Sequence, residues 1–214
     1  MTGDALNTQL GFRMEDTAES IFTKQQKVDA INNAMVQVCA LVDNSYLSEL
    51  ETSTTASVSS GEATYANLFS GGNPVRNSII AVRDYSGGSD LKWCTIIDAK
   101  DVKQTDNAYL AGTTANPTVQ IFDEKIHVQP STVNQIKVWY IKSPTPYVYG
   151  TASSMDDECE LNSSLEGVVL DLAESELWRS DGNLNRANGA LQNGMAVIQV
   201  LNGRAGVEQP QGAN

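Results

Sequence analysis

Groups that commonly carry catalysis are scarce in this sequence. Histidine occurs once, at His127, and no GxSxG turn is present, so a Ser/His/Asp triad has no support. The three cysteines are far apart and form no CxxC pair, which argues against a zinc site or a disulfide framework. We therefore expect no enzyme activity, no metal and no cofactor, and reduced thiols at Cys39, Cys94 and Cys159.

Basic residues and long apolar runs are also few. Lys and Arg number 14 against 26 Asp and Glu, for a net charge of -12. Such a charge repels phosphate and argues against general nucleic-acid binding, although double-stranded DNA can pass such a protein without sticking. A membrane span needs about 18 apolar residues in a row, which the chain lacks. Residues 1–20 carry no signal-peptide pattern, so we expect synthesis in a reducing cytoplasm and no membrane association.

Helical periodicity marks both ends of the chain. Thr23 and Gln26 have capping-box spacing, and apolar residues then recur every three or four positions from Val28 to Leu50, which predicts a helix of about seven turns. Ser163 and Glu166 have the same spacing and predict a second helix, ending near Trp178. A third apolar stripe follows, from Leu184 to Leu201, and Gly203 is a typical residue to end that helix.

The middle of the chain has the pattern of short strands. Alternation over 135–141, and a tight hairpin joining 118–122 to 125–129 through Asp123 and Glu124, predict β structure. Strands are also predicted over 78–85 and 91–97, on either side of a loop at 86–90. The Thr/Ser-rich stretch over 52–64 instead predicts a surface connection or flexible arm.

The predicted fold is therefore α+β. A helical bundle from the N- and C-terminal segments holds a central antiparallel β-sheet or barrel insertion. The predicted boundaries are 22–55 and 161–203 for the discontinuous bundle, 73–150 for the β module, and 1–20 and 204–214 for flexible termini.

Carboxylates concentrate in the stretch between Lys142 and Arg179, where no basic residue occurs. Their spacing fits neither a calcium loop nor a di-metal site. One interpretation is a solvated helix face with a negatively charged helix start, and the alternative is a surface that meets a basic partner or lines a negatively charged channel. The candidates are Asp156, Asp157, Glu158, Glu160, Asp171 and Glu174.

Aromatic residues offer a second candidate surface. Trp93, Trp139 and Trp178 fall in three different predicted elements and have no basic residues interleaved with them in sequence, which favours core packing or a subunit contact over base stacking. A platform for a glycan or small ligand is the alternative, although its members alternate between strand faces. That platform would comprise Trp93, Trp139, Tyr140, Tyr147 and Tyr149.

Three stretches together resemble the head-to-tail adaptor (connector) proteins of tailed bacteriophages. The first is the helix KQQKVDAINNAMVQVCALVDNSYLSEL, and the second is the strand-rich run PTVQIFDEKIHVQPSTVNQIKVWYIKSPTPY. The third is the helix pair LEGVVLDLAESELWRSDGNLNRANGALQNGMAVIQVLNGR. The resemblance covers most of the chain from Thr23 to Arg204, and it is a likeness of architecture because none of these stretches is a catalytic motif.

The resemblance implies a virion structural protein in the neck of the particle. It would form a homo-oligomeric ring, a dodecamer, beneath the portal protein, link the capsid to tail nozzle or tail-tube proteins, and form part of the DNA channel. The C-terminal segment of such adaptors enters crevices of the portal, and the corresponding residues here are Arg204, Val207, Gln209 and Pro210. A tail-terminator or head-completion ring protein is the nearest alternative, and a β-module ligand-binding protein is the next.

Overall fold

The computed structural model describes residues 1–69, 74–88, 92–97 and 111–208, with the main chain only at 77 and 206–208. The chain divides into two compact units. A helical unit combines Met1–Leu50 with Ser143–Asn214, and a β unit comprises Glu51–Lys142. The α+β class is confirmed, with helices from both chain ends and sheets from the middle, and the described strands form no closed barrel.

The helical unit is organised around one central helix, α5 (Glu166–Ser180), which contacts α1 (Gly3–Arg13), α2 (Lys24–Leu41) and α6 (Leu184–Glu208). Val169 and Ala173 of α5, and Leu165 of the turn just before it, are completely buried in the core of this unit. The elements are α1 (Gly3–Arg13), α2 (Lys24–Leu41), a 3-10 helix (Asn44–Leu50), α4 (Ala152–Met155), a 3-10 turn (Ser163–Leu165), α5 (Glu166–Ser180) and α6 (Leu184–Glu208).

Helix α2 begins as predicted and ends earlier than predicted. The Thr23–Gln26 capping box is present, with both reciprocal hydrogen bonds. The helix stops at Leu41, because Asn202 of α6 binds its end: the Asn202 side chain donates to the Leu41 carbonyl (2.9 Å) and accepts from the Asp43 N–H (2.8 Å). The apolar spacing that continues to Leu50 belongs to the following 3-10 helix.

The chain start is helical, whereas the sequence predicted a flexible segment over 1–20. Thr2 caps α1 by accepting a hydrogen bond from the Ala5 N–H (3.2 Å). Leu6 and Leu10 are completely buried. These two leucines, one helical turn apart, are too narrow a stripe to stand out in the sequence.

The start of α5 and the end of α6 also differ from prediction. The Ser163–Glu166 capping box does not form: Asn162 accepts the hydrogen bond from the Ser164 N–H, and Glu166 instead binds the amino group of Met1. Helix α6 continues through Gly203 to Glu208, so the predicted flexible segment from 204 begins within a helix.

The β unit contains two sheets of described strands. In one, the strand order is β1-β8-β3-β4 and all pairs are antiparallel; in the other it is β2-β7-β6-β5, with β5 parallel to β6. The elements are β1 (Glu51–Ser57), β2 (Glu62–Thr64), α3 (Tyr65–Leu68), β3 (Pro74–Asp84), β4 (Lys92–Trp93), β5 (Thr95–Ile97), β6 (Thr118–Phe122), β7 (Lys125–Gln129) and β8 (Gln135–Lys142).

Two predictions for the β unit need correction. The Thr/Ser-rich arm instead contains strands β1 and β2, and β1 pairs with β8 along its whole length, from Glu51 opposite Ile141 to Ser57 opposite Gln135. Threonine is β-branched and favours strands even where hydrophobicity is low. The predicted strand over 91–97 is divided at Cys94, since β4 pairs with β3 while β5 pairs with β6 in the other sheet.

The tight hairpin and the alternating strand are confirmed. Asp123 and Glu124 connect β6 to β7, and both have positive φ, at 54° and 52°. Strand β8 buries Ile136 and Val138 against Val82 and other apolar side chains. The β unit therefore has a hydrophobic core of its own.

Candidate interaction surfaces

Three consecutive carboxylates, at Asp156, Asp157 and Glu158, are exposed in the loop that follows α4. We call them the acidic segment. Its main chain is held by the start of the chain: the Gly3 N–H donates to the Asp157 carbonyl (3.2 Å), and the Cys159 N–H donates to the Met1 carbonyl (2.8 Å). The acidic segment thus presents its charges from a fixed backbone.

Glu160 lies beside this segment but has local partners. It accepts hydrogen bonds from the N–H (2.7 Å) and the hydroxyl (3.1 Å) of Thr145. Together with Asp157 and Glu158 it lines a pocket of ≈ 290 Å³, which Tyr147 also borders.

The remaining two predicted carboxylates make contacts within the helical unit. Asp171 of α5 is paired with Arg13 of α1 (2.5 Å), and Glu174 accepts a hydrogen bond from the indole N–H of Trp178 (3.3 Å). The six candidates therefore separate into four groups: the exposed acidic segment, the Thr145-bound Glu160, Asp171, which joins α5 to α1, and Glu174, which bonds within α5.

The predicted C-terminal site is described only in part. Arg204 is exposed near the end of α6, and Val207 lies in the last turn of that helix. Gln209 and Pro210 lie outside the described residues.

The five aromatic residues of the predicted platform do not form one surface. Tyr140 is buried against Phe69, with ring centroids 4.6 Å apart, on the core side of its sheet. Tyr147 is buried in the helical unit, where Tyr149 is exposed. Within the β unit, Trp93 and Trp139 come together, with ring centroids 5.3 Å apart.

Those two indoles belong to a larger group that we call the cation–aromatic patch: Arg83, Tyr85, Trp93, Lys137 and Trp139. The guanidinium of Arg83 lies over the Trp93 ring, 3.7 Å from its centroid. The ammonium of Lys137 lies 4.9 Å from the Trp139 centroid and 5.9 Å from that of Tyr85. Cations held over aromatic faces at such distances are attracted by the ring quadrupole.

Strand register explains why these side chains meet. Arg83 of β3 lies opposite Lys137 of β8 on one side and opposite Trp93 of β4 on the other. Alternation sends Val82 and Val138 into the core and leaves their neighbours on the outer face. The sequence did not predict this group because most of its contacts run across strands, where Arg83 of β3 meets Trp93 of β4 and Lys137 of β8. Part of the pattern can be read from the sequence, since a basic residue precedes an aromatic residue by two positions in two predicted strands. These pairs are Arg83 with Tyr85 and Lys137 with Trp139.

A second cluster, which the sequence pattern did not predict, surrounds the single histidine, His127. The His127 ring lies on the opposite face of β7 from Ile126 and Val128, which are buried. The ring stacks on Phe122, with centroids 4.0 Å apart, and its Nδ1 lies 3.5 Å from Glu62.

Glu62 is also paired with Lys125 (2.8 Å), and this hydrogen bond lowers the pKa of Glu62 and raises the pKa of Lys125. His127 and Glu62 border a pocket of ≈ 470 Å³. Within the described part of the chain, His127 Nε2 has no hydrogen-bond partner, so no nucleophile is aligned with it.

The helical unit has a groove of ≈ 590 Å³ bordered by α2, α5 and α6. Val36, which is exposed, and Leu191 supply apolar walls, and Leu172 lies between them on α5. Polar groups also line it, including Glu176, which accepts a hydrogen bond from Asn33 (2.7 Å).

Neither a metal centre nor a membrane span is found in the described residues. No group of three or more His, Cys, Asp or Glu side chains among them could hold a metal ion. None of their helices combines the length and apolar character needed to cross a bilayer. Comparison with known protein families and with curated proteins finds no match to this chain.

Proposed function

We propose that this chain is a head-to-tail adaptor of a tailed bacteriophage, which assembles as a ring beneath the portal and connects it to tail proteins. The observation that carries the proposal is the order of elements: the two chain ends form one helical unit, and a separate β unit is inserted between Leu50 and Ser143. This is the architecture that the sequence resemblance implies.

The insertion is built so that the two units can hold separate partners. The chain enters the β unit in β1 and leaves it in β8, and these strands pair side by side, with Glu51 opposite Ile141. Adjacent entry and exit points let a whole unit be inserted at one place in another. In the proposed adaptor, the helical unit meets the portal and the β unit meets the tail.

On the helical unit, the groove and the end of α6 are the proposed portal-binding surface. The groove offers exposed Val36 beside Leu191, and Arg204 supplies a positive charge at the end of α6. Apolar surface with a polar rim is typical of protein interfaces. The net charge of -12 would limit sticking of DNA as it passes the ring.

Co-sedimentation with the portal ring encoded near this chain, followed by electron microscopy of the complex, tests the proposal. We expect a stoichiometric second ring beneath the portal. Separate sedimentation at micromolar concentrations of both proteins would exclude the adaptor role and favour a tail-terminator or ligand-binding function.

The contribution of the C-terminal segment is tested in the same assay. Deletion from Gly203 onward and the single change Arg204→Ala should both weaken portal binding. Gln199→Ala, an exposed polar position on the same helix, is the matched control and should bind like the wild type. Unchanged binding after the deletion would show that the segment does not contact the portal.

A further inference from the structure

We infer that the cation–aromatic patch of one copy docks the acidic segment of a second copy. The contact would join neighbouring subunits, and it rests on the proposed ring for its closed geometry. Its basis is the chemistry of the two surfaces, one on the β unit and one on the helical unit.

The patch has the composition of a protein-binding surface. Trp93 is 55% exposed, and Trp139, Tyr85, Arg83 and Lys137 are partly exposed around it. Trp, Tyr and Arg are the residue types most enriched where interfaces gain their binding energy. Stacking on the rings restricts the two cationic side chains, which lowers the entropy that they lose when a partner binds.

Carboxylates fit this surface better than sugars or nucleic acid do. The Arg83 guanidinium, 3.7 Å from the Trp93 centroid, covers the ring face on which a sugar would stack, and Lys137 lies over Trp139. Two cations on a chain of net charge -12 are too few to hold a phosphate backbone. Guanidinium and ammonium groups held on aromatic rings still bind carboxylates through charge-assisted hydrogen bonds.

The chain itself carries a matching partner. Asp156, Asp157 and Glu158 are exposed in succession, and no basic residue occurs between Lys142 and Arg179 to neutralise them in sequence. Hydrogen bonds to Gly3 and Met1 fix their main chain, so little order has to be gained on docking.

The two surfaces are different, so each copy would use its patch on one neighbour and its acidic segment on the other. A contact of this heterologous type produces a ring when its rotation closes. The paired charges would also make association depend on salt, since exposed charges are screened at higher ionic strength.

Charge reversal on both sides provides the test. We would make Lys137→Glu in one protein and Asp156→Lys with Asp157→Lys in another, and measure self-association of the full chain by sedimentation velocity, alone and with the portal ring. Each protein should associate about tenfold more weakly than the wild type. A 1:1 mixture should restore association, because each reversed surface then meets its complement. Lys92→Glu makes the same charge change at an exposed neighbouring position outside the patch and should have little effect.

The inference is overturned if either reversed protein associates like the wild type, if the mixture does not recover, or if the wild type stays monomeric both alone and on the portal. Rescue in the mixture cannot arise from misfolding of the single proteins. Wild-type association that follows this pattern without portal binding would remove the adaptor role and keep the inference. If the chain binds the portal and the charge-reversed proteins still associate like the wild type, the adaptor role is kept and the inference is overturned.

Discussion

The ammonium of Lys27 lies 3.1 Å from the carboxylate of Asp16 and 2.6 Å from the Asp16 carbonyl oxygen, and both side chains are almost completely buried. The same carboxylate accepts hydrogen bonds from the N–H groups of Ser20, Ile21 and Phe22, at 2.7 to 3.0 Å. One side chain therefore shapes the connection between α1 and α2 and neutralises a charge on α2.

Replacing Asp16 by Asn should destabilise the protein strongly. The amide keeps the shape of the carboxylate and leaves the Lys27 charge buried without its counter-ion, which costs about 3–5 kcal/mol. Urea unfolding of Asp16→Asn and of the exposed control Asp29→Asn measures the difference. An Asp16→Asn protein within about 1 kcal/mol of the control would show that the pair contributes little.

The pH dependence of stability should reflect the same carboxylate. Burial alone would raise the pKa of Asp16, but the hydrogen bonds from Phe22 and Ile21, with Lys27 and Ser20, outweigh it and hold the pKa below its usual range. A lowered pKa in the folded state stabilises above the unfolded-state pKa, about 3.9, and this contribution is lost as the pH falls.

The free energies of unfolding of wild type and Asp16→Asn should therefore differ by a constant amount near neutral pH. This difference should begin to shrink as the pH falls below about 4. Urea unfolding at pH 7, 5, 4 and 3 measures this difference. A gap that is the same at pH 3 as at pH 7 would argue against the lowered pKa.

Sequence reasoning succeeded where the determining interactions are local. The capping box at Thr23 and Gln26 and the turn at Asp123 and Glu124 involve residues up to three apart, and both are in the structure. The end of α2 could not be predicted in this way, because it depends on Asn202, about 160 positions along the chain.

The candidate surfaces follow the same rule. The exposed acidic segment was visible as a run of carboxylates, whereas the cation–aromatic patch required the register of β3, β4 and β8, which no single stretch encodes. Helix α1 was missed for a related reason: Leu6 and Leu10 are buried by packing against helices from elsewhere in the chain.

Two glycines of α6 should respond differently to replacement by alanine. A Cβ at Gly189 would meet nothing within 4 Å, so Gly189→Ala should stabilise the helix by about 0.5–1 kcal/mol. A Cβ at Gly194 would lie 3.3 Å from the Cβ of Asp171 and 3.4 Å from Leu172, where α5 and α6 approach closely. Gly194→Ala should therefore gain less or destabilise. Equal stabilisation in thermal unfolding would show that the helices separate easily.

The cap of α2 should contribute measurably to stability. Thr23 accepts a hydrogen bond from the Gln26 N–H (3.3 Å), and loss of such a cap costs about 1 kcal/mol. Thr151 has the same position before the short helix α4 without a side-chain cap, which makes Thr151→Ala the control. Urea unfolding should show the larger loss for Thr23→Ala. A loss no greater than that of the control would indicate that solvent replaces the cap.

A glycine in the turn between β6 and β7 should make the β unit more stable, because both residues of this turn, Asp123 and Glu124, have a left-handed backbone and neither is glycine. Left-handed backbone costs a residue with a Cβ about 1 kcal/mol, and Glu124 has φ 52°. Glu124→Gly removes this cost, and the Glu124 carbonyl that accepts from the Tyr65 N–H (2.9 Å) is retained. We expect the β unit to become about 1 kcal/mol more stable in calorimetric unfolding.

The matched control for this turn is Lys125→Gly, one residue later in strand β7. Glycine weakens an extended strand, and this change also removes the Glu62 ion pair, so it should destabilise the β unit. The two substitutions introduce the same residue at adjacent positions, so opposite signs would show that backbone conformation determines the effect. Destabilisation by both would mean that the Glu124 side chain contributes more than its left-handed backbone costs.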